Sequence, residues 1–446
     1  MPVSLLTGAL DTVLAEVTPE HYFRWRRARS GDPFEVRFPG LGRVLFTAHP
    51  DGARDIFRAP PDTFVTPLPN PIAPLVGEAS LILVDGERHR RDRALLMPPF
   101  HGQRMRAYGE IIRESARAEI RTWRAGSRFD SRQAARAITL RVILEAVFGL
   151  DGRDRRDEYT TTVADLLASY NTALLLVPPL RRGVFGLAPW DRFVRLRDRF
   201  DALLDEDVDR RRGLRQTGDD VLSMLLATRY DDGSPLDDGD LREQLRTLLV
   251  AGHETTATSI AWALYHVHRH PAVRERLVAE VRALGPDVPA EDLARLPYLD
   301  AVCKETLRLH PPVPVVLRRL AAPLEIRGVG APAGATVGVA LELLHTHRDV
   351  WGHPRRFDPQ RFLDRRYGPF EYAPYGGGHR RCVGFALAEY ELRIVLATIL
   401  AEASIALPAD AAAAPIPASV PANIATGPWR PIVFDVLAEN RGETAA

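Results

Sequence analysis

Apolar and polar residues alternate along this chain mainly with the spacing of α-helices. Such spacing predicts long helices over residues 104–124, 131–148, 153–176 and 190–212. The stretch Asp237–Arg269 predicts one more helix, with Asp237 as its N-cap and Pro271 beyond its end. At ~1.5 Å per residue this helix is about 50 Å long, the width of a whole domain. The pattern therefore predicts a mainly α (α+β) protein.

Short runs of β-branched and aromatic residues, separated by Gly and Pro, predict a smaller β-rich part. It is expected at about 30–50, 311–340 and 404–438, with a hairpin of Phe34–Phe38 and Arg43–Thr47. We expect residues 1–446 to form a single domain and the polar tail, residues 439–446, to be disordered.

Charge and cysteine content exclude several classes of protein. The 59 basic and 58 acidic residues leave a net charge of +1, which argues against nucleic acid as the main partner. Two cysteines, Cys303 and Cys382, provide no disulfide framework. The first 19 residues have neither a basic start nor a long apolar run, so we expect no signal peptide or membrane anchor and a soluble, cytoplasmic protein.

The stretch Tyr375–Gly384 has the chemistry of a ligand-binding loop. Cys382 follows three glycines and two arginines, and a helical pattern begins directly after it. A helix N-terminus favours the thiolate form of a cysteine, and glycines let a flat ligand approach the backbone closely. Arginines suit an anionic ligand, so the stretch fits haem iron and its two propionates. The alternative is a buried cysteine in a glycine-rich turn.

Three other short patterns become informative when they are considered together with this loop. Ala251–Thr256 places Gly and two Thr, which are poor helix formers, in the middle of the long helix. This predicts a local opening of the helical hydrogen bonds. The alternative is a regular helix that accommodates these residues. Glu305 and Arg308, three residues apart, can pair across one helical turn. His89 and Arg93, four apart, share one helix face, although a solvated basic face explains them equally well.

The cysteine stretch resembles the ligand loop of the cytochrome P-450 family, whose pattern is Phe-x-x-Gly-x-Arg-x-Cys-x-Gly. Tyr375 occupies the Phe position, and the matching residues are Gly378, Arg380, Cys382 and Gly384. Ala251–Thr256 matches the family's oxygen-binding motif, Ala/Gly-Gly-x-Asp/Glu-Thr. The resemblance covers about residues 20–438. It implies the P-450 fold, a large helical domain with a small β-rich region and haem between the long central helix and the cysteine-loop helix.

The resemblance also implies roles for individual residues. Cys382 is expected to bind the iron of haem b. Further cofactor-binding residues are expected to be His89, Arg93, Arg318, Arg380, Tyr375, Gly376 and Gly384. Arg319 competes with Arg318 for a propionate. Glu305, Arg308 and Arg361 are expected to form a buried structural network, with Gln360 where the family more often has Glu. Three buried charges need mutual pairing, because an unpaired one is costly.

The implied activity is that of a haem-thiolate monooxygenase, which inserts one oxygen atom from O2 into a lipophilic small molecule. The thiolate favours O–O cleavage. Glu254 and Thr255 are an acid–alcohol pair suited to proton delivery, and Gly252 is expected to make room for dioxygen. A peroxide-using peroxygenase and a non-catalytic haem-thiolate sensor are the alternatives.

The substrate and the electron donor are less well determined. Candidate pocket residues are Phe64, Leu68, Ile72, Leu175, Ala251, Val315, Val316 and Ile424. Their apolar character favours a terpenoid or steroid, whereas the pattern Met97–Gly102 resembles relatives of fatty-acid and alkane hydroxylases. Since no flavin or iron–sulfur domain is evident, electrons are expected from NAD(P)H through an external ferredoxin and its reductase. We expect a monomer without a membrane anchor.

Overall fold

A computed structural model describes most of the chain: residues 19–38, 42–67, 70–100, 102, 104–150, 152–170, 174, 177–214, 218–285, 288–422 and 425–438. The chain divides into two compact units. Unit 1 comprises residues 1–67, 116–135 and 255–446, and unit 2 comprises residues 68–115 and 136–254. Three helices, at 104–120, 131–146 and 238–269, contribute residues to both units. The single domain expected over residues 1–446 stays a prediction.

The described residues contain α-helices of very different lengths. In chain order they are α1 (Pro19–Ser30), α2 (Pro50–Arg58), α3 (Ala73–Val76), α4 (Gly86–Leu96), α5 (Arg104–Ile120), α6 (Ser131–Ala146), α7 (Arg153–Ser169), α8 (Pro189–Leu214), α9 (Val221–Ala227), α10 (Asp238–Arg269), α11 (Pro271–Ala283), α12 (Ala290–Leu293), α13 (Pro297–Leu309), α14 (Leu341–Leu344), α15 (Arg361–Asp364), α16 (Phe385–Glu402) and α17 (Ala409–Ala413). None of the helices in these ranges combines enough length and apolar content to span a bilayer.

The strands of the described residues all belong to unit 1. They are β1 (Phe34–Phe38), β2 (Gly42–Thr47), β3 (Phe64–Val65), β4 (Arg128–Asp130), β5 (Val315–Leu320), β6 (Leu324–Ile326), β7 (Val329–Ala331), β8 (Thr336–Ala340), β9 (Ile405–Ala406), β10 (Ser419–Ala422), β11 (Ala425–Pro428) and β12 (Val433–Val436). The three stretches predicted to be β-rich thus contain strands, and the predicted β1–β2 hairpin is present with Phe34 opposite Phe46.

The largest sheet of unit 1 has the strand order β1-β2-β8-β5-β3. Its central strand β8 runs parallel to β2 and antiparallel to β5, and all five of its residues are buried. Helix α2 covers part of this sheet because Ala53, Ile56 and Phe57 repeat at helical spacing and pack with Val337 and Val339 in one core cluster. The helix begins at Pro50, and the N-cap His49 accepts a hydrogen bond from the Asp51 N–H.

Helix α10 matches its prediction within one residue. The Asp237 carboxylate accepts a hydrogen bond from the Gly239 N–H at 2.8 Å, which caps the helix. Two acidic residues, Asp238 and Asp240, occupy the first turn, where the helix dipole favours negative charge. The helix continues through Ala251–Thr256 without interruption, so the predicted opening does not break it there.

Three predicted helices are shorter than expected, and the one expected over 131–148 ends at Ala146. The helix expected over 153–176 ends at Ser169, where Tyr170 leaves helical geometry and its hydroxyl donates to the Pro71 carbonyl. The helix expected over 104–124 ends at Ile120, and the Thr122 hydroxyl donates back to the Glu119 carbonyl at 2.7 Å. Helical spacing alone predicts longer helices because it contains no information on hydrogen bonds made by single side chains, whether local, as at Thr122, or distant in sequence, as at Tyr170. The tail 439–446 lies outside the described residues.

Candidate haem site and central helix

The cysteine loop of unit 1 is closed by its own backbone hydrogen bonds. The Gly376 N–H donates to the Ala373 carbonyl at 2.9 Å, and the Cys382 N–H donates to the Tyr375 carbonyl at 3.0 Å. Gly376 and Gly378 both have φ of +68°, a left-handed conformation that side chains other than glycine rarely adopt. The glycines predicted to let a ligand approach are therefore also required by the path of the loop itself.

Cys382 lies two residues before Gly384, the N-cap of α16. Its side chain is exposed, whereas that of Cys303 is buried inside α13. Burial raises the pKa of the Cys303 thiol far above its usual value, which keeps that sulfur protonated. A helix N-terminus instead favours the thiolate at the position of Cys382. Of the two cysteines, Cys382 alone has the surroundings of an iron ligand.

Two residues that the sequence did not single out hold the loop in place. Phe57 of α2 packs so closely that a Cβ at Gly377 would overlap its ring, and a Cβ at Gly378 would lie 2.5 Å from its carbonyl oxygen. His345 accepts a hydrogen bond from the Ala373 N–H at 2.9 Å through Nε2. Burial lowers the pKa of His345 to about 3, so its imidazole stays neutral and can accept this bond. No motif in the sequence marks either residue.

The buried network predicted from Glu305, Arg308 and Arg361 is present. The guanidinium group of Arg308 donates to both carboxylate oxygens of Glu305, at 2.6 and 2.8 Å, and Arg361 donates to the same carboxylate at 3.1 Å. The Asp358 N–H adds a bond at 2.8 Å. Further N–H groups of the two arginines donate to the carbonyls of His345, Pro354, Arg356 and Gly352.

Since His345 accepts from Ala373 through its ring and from Arg308 through its carbonyl, it links this network to the cysteine loop. The distance between the Arg308 N–H donor and that carbonyl oxygen is 2.7 Å. Fixing buried charges with many hydrogen bonds leaves little freedom to the chain that bears them. The network therefore stabilises the geometry of the cysteine loop from one side.

Arg318 and Arg319, the two candidates for binding a haem propionate, lie on opposite faces of strand β5. Val316 lies 3.6 Å from the Cβ position of Gly376 in the cysteine loop. Side chains two residues apart share one face of a strand, so Arg318 is on the face of Val316. Arg318 is half-buried, whereas Arg319, on the opposite face, is exposed. This geometry favours Arg318.

Arg380 and Tyr375 of the cysteine loop are positioned by contacts with neighbouring side chains. Arg380 lies 3.4 Å from the Thr66 hydroxyl and is half-buried. The ring of Tyr375 lies 6.1 Å from that of Phe385, so it retains the aromatic packing of the family's Phe. Loss of hydration, with the nearby Glu389 carboxylate, raises the pKa of Tyr375 well above its ordinary value. Its hydroxyl thus remains a hydrogen-bond donor.

In unit 2, the central helix α10 is held by α6. The Arg136 guanidinium donates two hydrogen bonds to the Glu254 carboxylate, at 2.9 and 2.8 Å. One turn along α6, the Thr139 hydroxyl lies 2.8 Å from His253 Nδ1. Burial lowers the pKa of His253 to about 4 and keeps it neutral. The sequence did not reveal these partners, because neither Arg136 nor Thr139 lies in a motif.

The backbone of α10 at Gly252 lies close to α6. A Cβ at this position would meet only Ile143 Cδ1, at 3.4 Å, so a small residue lets the two helices pack closely. Thr255, on the next turn of α10, is half-buried, and its carbonyl accepts a hydrogen bond from the Ser259 hydroxyl at 2.9 Å. The expected role of Gly252 in admitting dioxygen stays a prediction beside this packing role.

The other predicted residues of unit 2 lie on α4. His89 is buried and Arg93 half-buried, one turn apart on one helix face. Among the candidate pocket residues, Ile72, Ala251, Val315 and Val316 are half-buried. Phe64 is buried in a core cluster of unit 1, and its ring lies 6.0 Å from that of His379, so packing already explains an apolar residue there. Leu68, Leu175 and Ile424 lie outside the described residues.

Comparison with known proteins connects these observations. Residues 10–425 match the family model described as cytochrome P450. The chain belongs to the cytochrome P450 family. It is 35% identical over 375 residues to putative cytochrome P450 138 of Mycobacterium tuberculosis, covering 83% of this chain and 82% of that protein. It is 34% identical over 404 residues to putative cytochrome P450 135B1 of the same species, covering 90% and 84%.

A solved structure described as retinoic acid bound cyanobacterial CYP120A1 has the same fold. The TM-score is 0.81 at 24% sequence identity, and 94% of each chain is covered. The predicted P450 fold, mainly helical with small sheets, is thereby confirmed. The chain is a cytochrome P450 monooxygenase, haem is its cofactor, and its family implies a redox partner.

The residues of the cysteine loop fit this cofactor. Cys382, exposed at a helix N-terminus, could supply the sulfur ligand, and two half-buried arginines, Arg380 of the loop and Arg318 of β5, could supply cations for the carboxylates. When bound through a thiolate, haem activates dioxygen and carries the oxygen-insertion chemistry. The protein contributes orientation, proton delivery and exclusion of competing reactions.

Proposed function

We propose that this P450 uses dioxygen, with electrons from NAD(P)H through an external ferredoxin and reductase, to hydroxylate a lipophilic small molecule. The observation that carries the proposal is the pair Glu254 and Thr255 on α10, with Glu254 fixed by two hydrogen bonds from Arg136. A carboxylate followed by an alcohol is suited to delivering protons for dioxygen cleavage. A peroxygenase or a haem-thiolate sensor has no need of this pair.

The proposed roles follow from this pair. Thr255 holds a proton at its hydroxyl beside the oxygen-binding position, and Glu254 resupplies it from the side of Arg136, whose side chain is 37% exposed. Gly252 keeps the helix surface free of a side chain. Cys382 ligates the iron, and the carboxylates of the cofactor are held by His89, Arg93, Arg318 and Arg380. Gly376, Gly384 and the ring of Tyr375 shape the surface against which the cofactor packs.

A direct comparison of oxidants tests the reaction class. Purified protein is supplied either with NADPH, ferredoxin and reductase or with hydrogen peroxide alone, and hydroxylated product is measured per haem. Product formed with the reductase chain, at a rate well above that with peroxide, supports the proposal. Equal or faster turnover with peroxide alone indicates the peroxygenase instead.

For the substrate, we propose a terpenoid, a steroid or a similar apolar metabolite, with a fatty acid or alkane as the second candidate. The half-buried residues Ile72, Ala251, Val315 and Val316 are apolar, in keeping with the first class. The cyanobacterial relative is described as bound to retinoic acid, which is a lipophilic terpenoid acid. A library of terpenoids, steroids and fatty acids, screened by the shift of the haem Soret band, distinguishes the classes.

The proposed ferredoxin is expected to dock at arginines near the cysteine loop. Arg381 is exposed and stacks over Phe385 at 3.9 Å. Arginines near residues 88–93 and 104–117 are further candidates for binding a ferredoxin, but five of them pair with carboxylates, which reduces their contribution: Arg88, Arg90, Arg91, Arg113 and Arg117. The reduction rate should fall as ionic strength rises, and a rate independent of salt contradicts this docking surface.

A further inference from the structure

Unit 1 contains a cluster of metal-binding side chains apart from the cysteine loop. His49, His347 and Asp349 each offer a ligand atom, and these atoms lie within 4.8 Å of one another. His49 caps α2, and the other two residues follow α14. Among the described residues, no other group of three His, Cys, Asp or Glu side chains meets this criterion.

The spacing of the two imidazoles suits a single ion. Their ring centres are 4.9 Å apart and the rings are nearly perpendicular, at 88°. Two imidazoles that share a tetrahedral ion at ~2.0–2.1 Å have ring centres about 5 Å apart. His347 Nδ1 and the Asp349 carboxylate are separated by 3.8 Å, near the roughly 3.4 Å between ligands of such an ion.

The Nδ1 atom of each histidine accepts a backbone hydrogen bond, which a metal bound at that atom would replace. His49 Nδ1 accepts from the Asp51 N–H at 3.1 Å, and His347 Nδ1 accepts from the Asp349 N–H at 3.3 Å. Asp51 and Asp349, the residues that donate these bonds, have side chains that are 51% and 80% exposed, so solvent reaches this part of the surface. The Asp51 carboxylate pairs with Arg54 at 2.8 Å, which leaves Asp349 as the acidic ligand.

The neighbouring charges are balanced. Arg27, a cation near His347, pairs with Asp32 at 3.3 Å.

We propose that His49, His347 and Asp349 form a binding site for a divalent transition metal, best suited to Zn²⁺, with water as the fourth ligand. Two imidazoles and one carboxylate with an open position are a donor set that Zn²⁺ accepts in proteins. The ion joins the start of α2 to the segment after α14 and thereby stabilises unit 1. None of the three residues is among those proposed to hold the haem or to take part in the reaction.

The test measures zinc itself rather than activity. Haem-loaded protein is treated with a chelator, dialysed and titrated with Zn²⁺ in a calorimeter, and bound zinc is counted by mass spectrometry. We expect about one zinc per chain, a rise in melting temperature and an absorption spectrum at the zinc edge with nitrogen and oxygen ligands only. His49→Ala and Asp349→Asn should each weaken binding at least about tenfold.

His21→Ala is the matched control, because His21 is an exposed histidine of the same unit and should leave the affinity unchanged. His347→Ala removes a buried ring and can fail to fold, whereas Asp349→Asn changes an exposed side chain and decides the question without that risk. Absence of saturable binding, or equal binding by wild type, His49→Ala and Asp349→Asn, would overturn the proposal. A sulfur ligand in the zinc spectrum would also overturn it.

Discussion

Two arginine–glutamate pairs in this P450 have the same two-bond geometry in very different surroundings. Arg308 and Glu305 are completely buried, and the arginine also donates to several backbone carbonyls. The Arg136 side chain is 37% exposed, whereas the Glu254 carboxylate that it contacts is only 8% exposed. Separating the first pair strands both charges in the interior, whereas separating the second strands only the carboxylate, because the guanidinium group can turn to water.

The comparison shows how one chemical motif serves two purposes. A buried pair with no access to water is held in one arrangement, which suits the segment that supports the iron ligand. A pair with one exposed partner can open at a lower cost than a fully buried pair, which suits a proton path. Burial, rather than the residue types, separates a structural pair from one that is suited to movement.

The largest expected effect is at the loop that the buried pair supports. Cys382→Ser removes the thiolate, so the reduced carbon monoxide complex should lose its thiolate-type Soret band and all oxygenase activity. Cys303→Ser is the matched variant and should keep both, since Cys303 is buried inside α13. The opposite outcome, with loss in Cys303→Ser alone, would reverse the assignment of the ligand.

The next effect is on stability. Glu305→Gln leaves Arg308 and Arg361 buried without an anion, which should lower the free energy of unfolding by about 3–5 kcal/mol and reduce haem content. Chemical denaturation of the haem-loaded protein measures the change.

The control for this loss is another Glu→Gln change in an exposed pair. Glu35 and Arg43, which lie 3.4 Å apart on β1 and β2, have half-exposed side chains, so Glu35→Gln should cost less than about 1 kcal/mol. If Glu305→Gln and Glu35→Gln lowered the free energy of unfolding equally, burial would not determine how much an arginine–glutamate pair contributes to stability.

On the central helix we expect an effect on chemistry without one on stability. Thr255→Ala should leave haem content and substrate binding nearly intact, while NADPH consumption continues and hydrogen peroxide replaces product. The yield of product per NADPH should fall at least about tenfold, because the hydroxyl no longer directs the proton. Thr256→Ala changes the neighbouring, buried threonine and serves as the control. Full coupling in Thr255→Ala with loss in Thr256→Ala would move the relay to Thr256.

The smallest effect is expected from the exposed partner of the second pair. Arg136→Ala should lower the free energy of unfolding by less than the ~3–5 kcal/mol expected for Glu305→Gln, because only one of the two charges in this pair is buried. It should slow turnover by less than the ~100-fold expected when a positioned acid is lost, and raise the solvent isotope effect. Arg141→Ala, at an exposed position of the same helix, should change neither the turnover rate nor the solvent isotope effect. A loss of stability as large as that of Glu305→Gln would remove the contrast between the two pairs.

Much of the fold and part of the site could be predicted because they depend on local chemistry. Helical spacing and an aspartate N-cap located α10 within one residue. The three-residue spacing of Glu305 and Arg308 allowed their pairing, and the thiolate chemistry distinguished Cys382 from Cys303. The ends of α5 and α7 were missed, since hydrogen bonds of single side chains decide where those helices stop.

The sequence by itself determined the cofactor chemistry of this protein, because a cysteine, its glycines and the helix that follows lie within a few residues of one another. Tertiary structure alone decided the partners of that chemistry. Among 59 basic residues, nothing local selects Arg136, which is 118 positions from Glu254, and nothing local marks Phe57 or His345 as supports of the cysteine loop. Partners so distant in sequence are chosen by how helices pack, and packing depends on the whole chain.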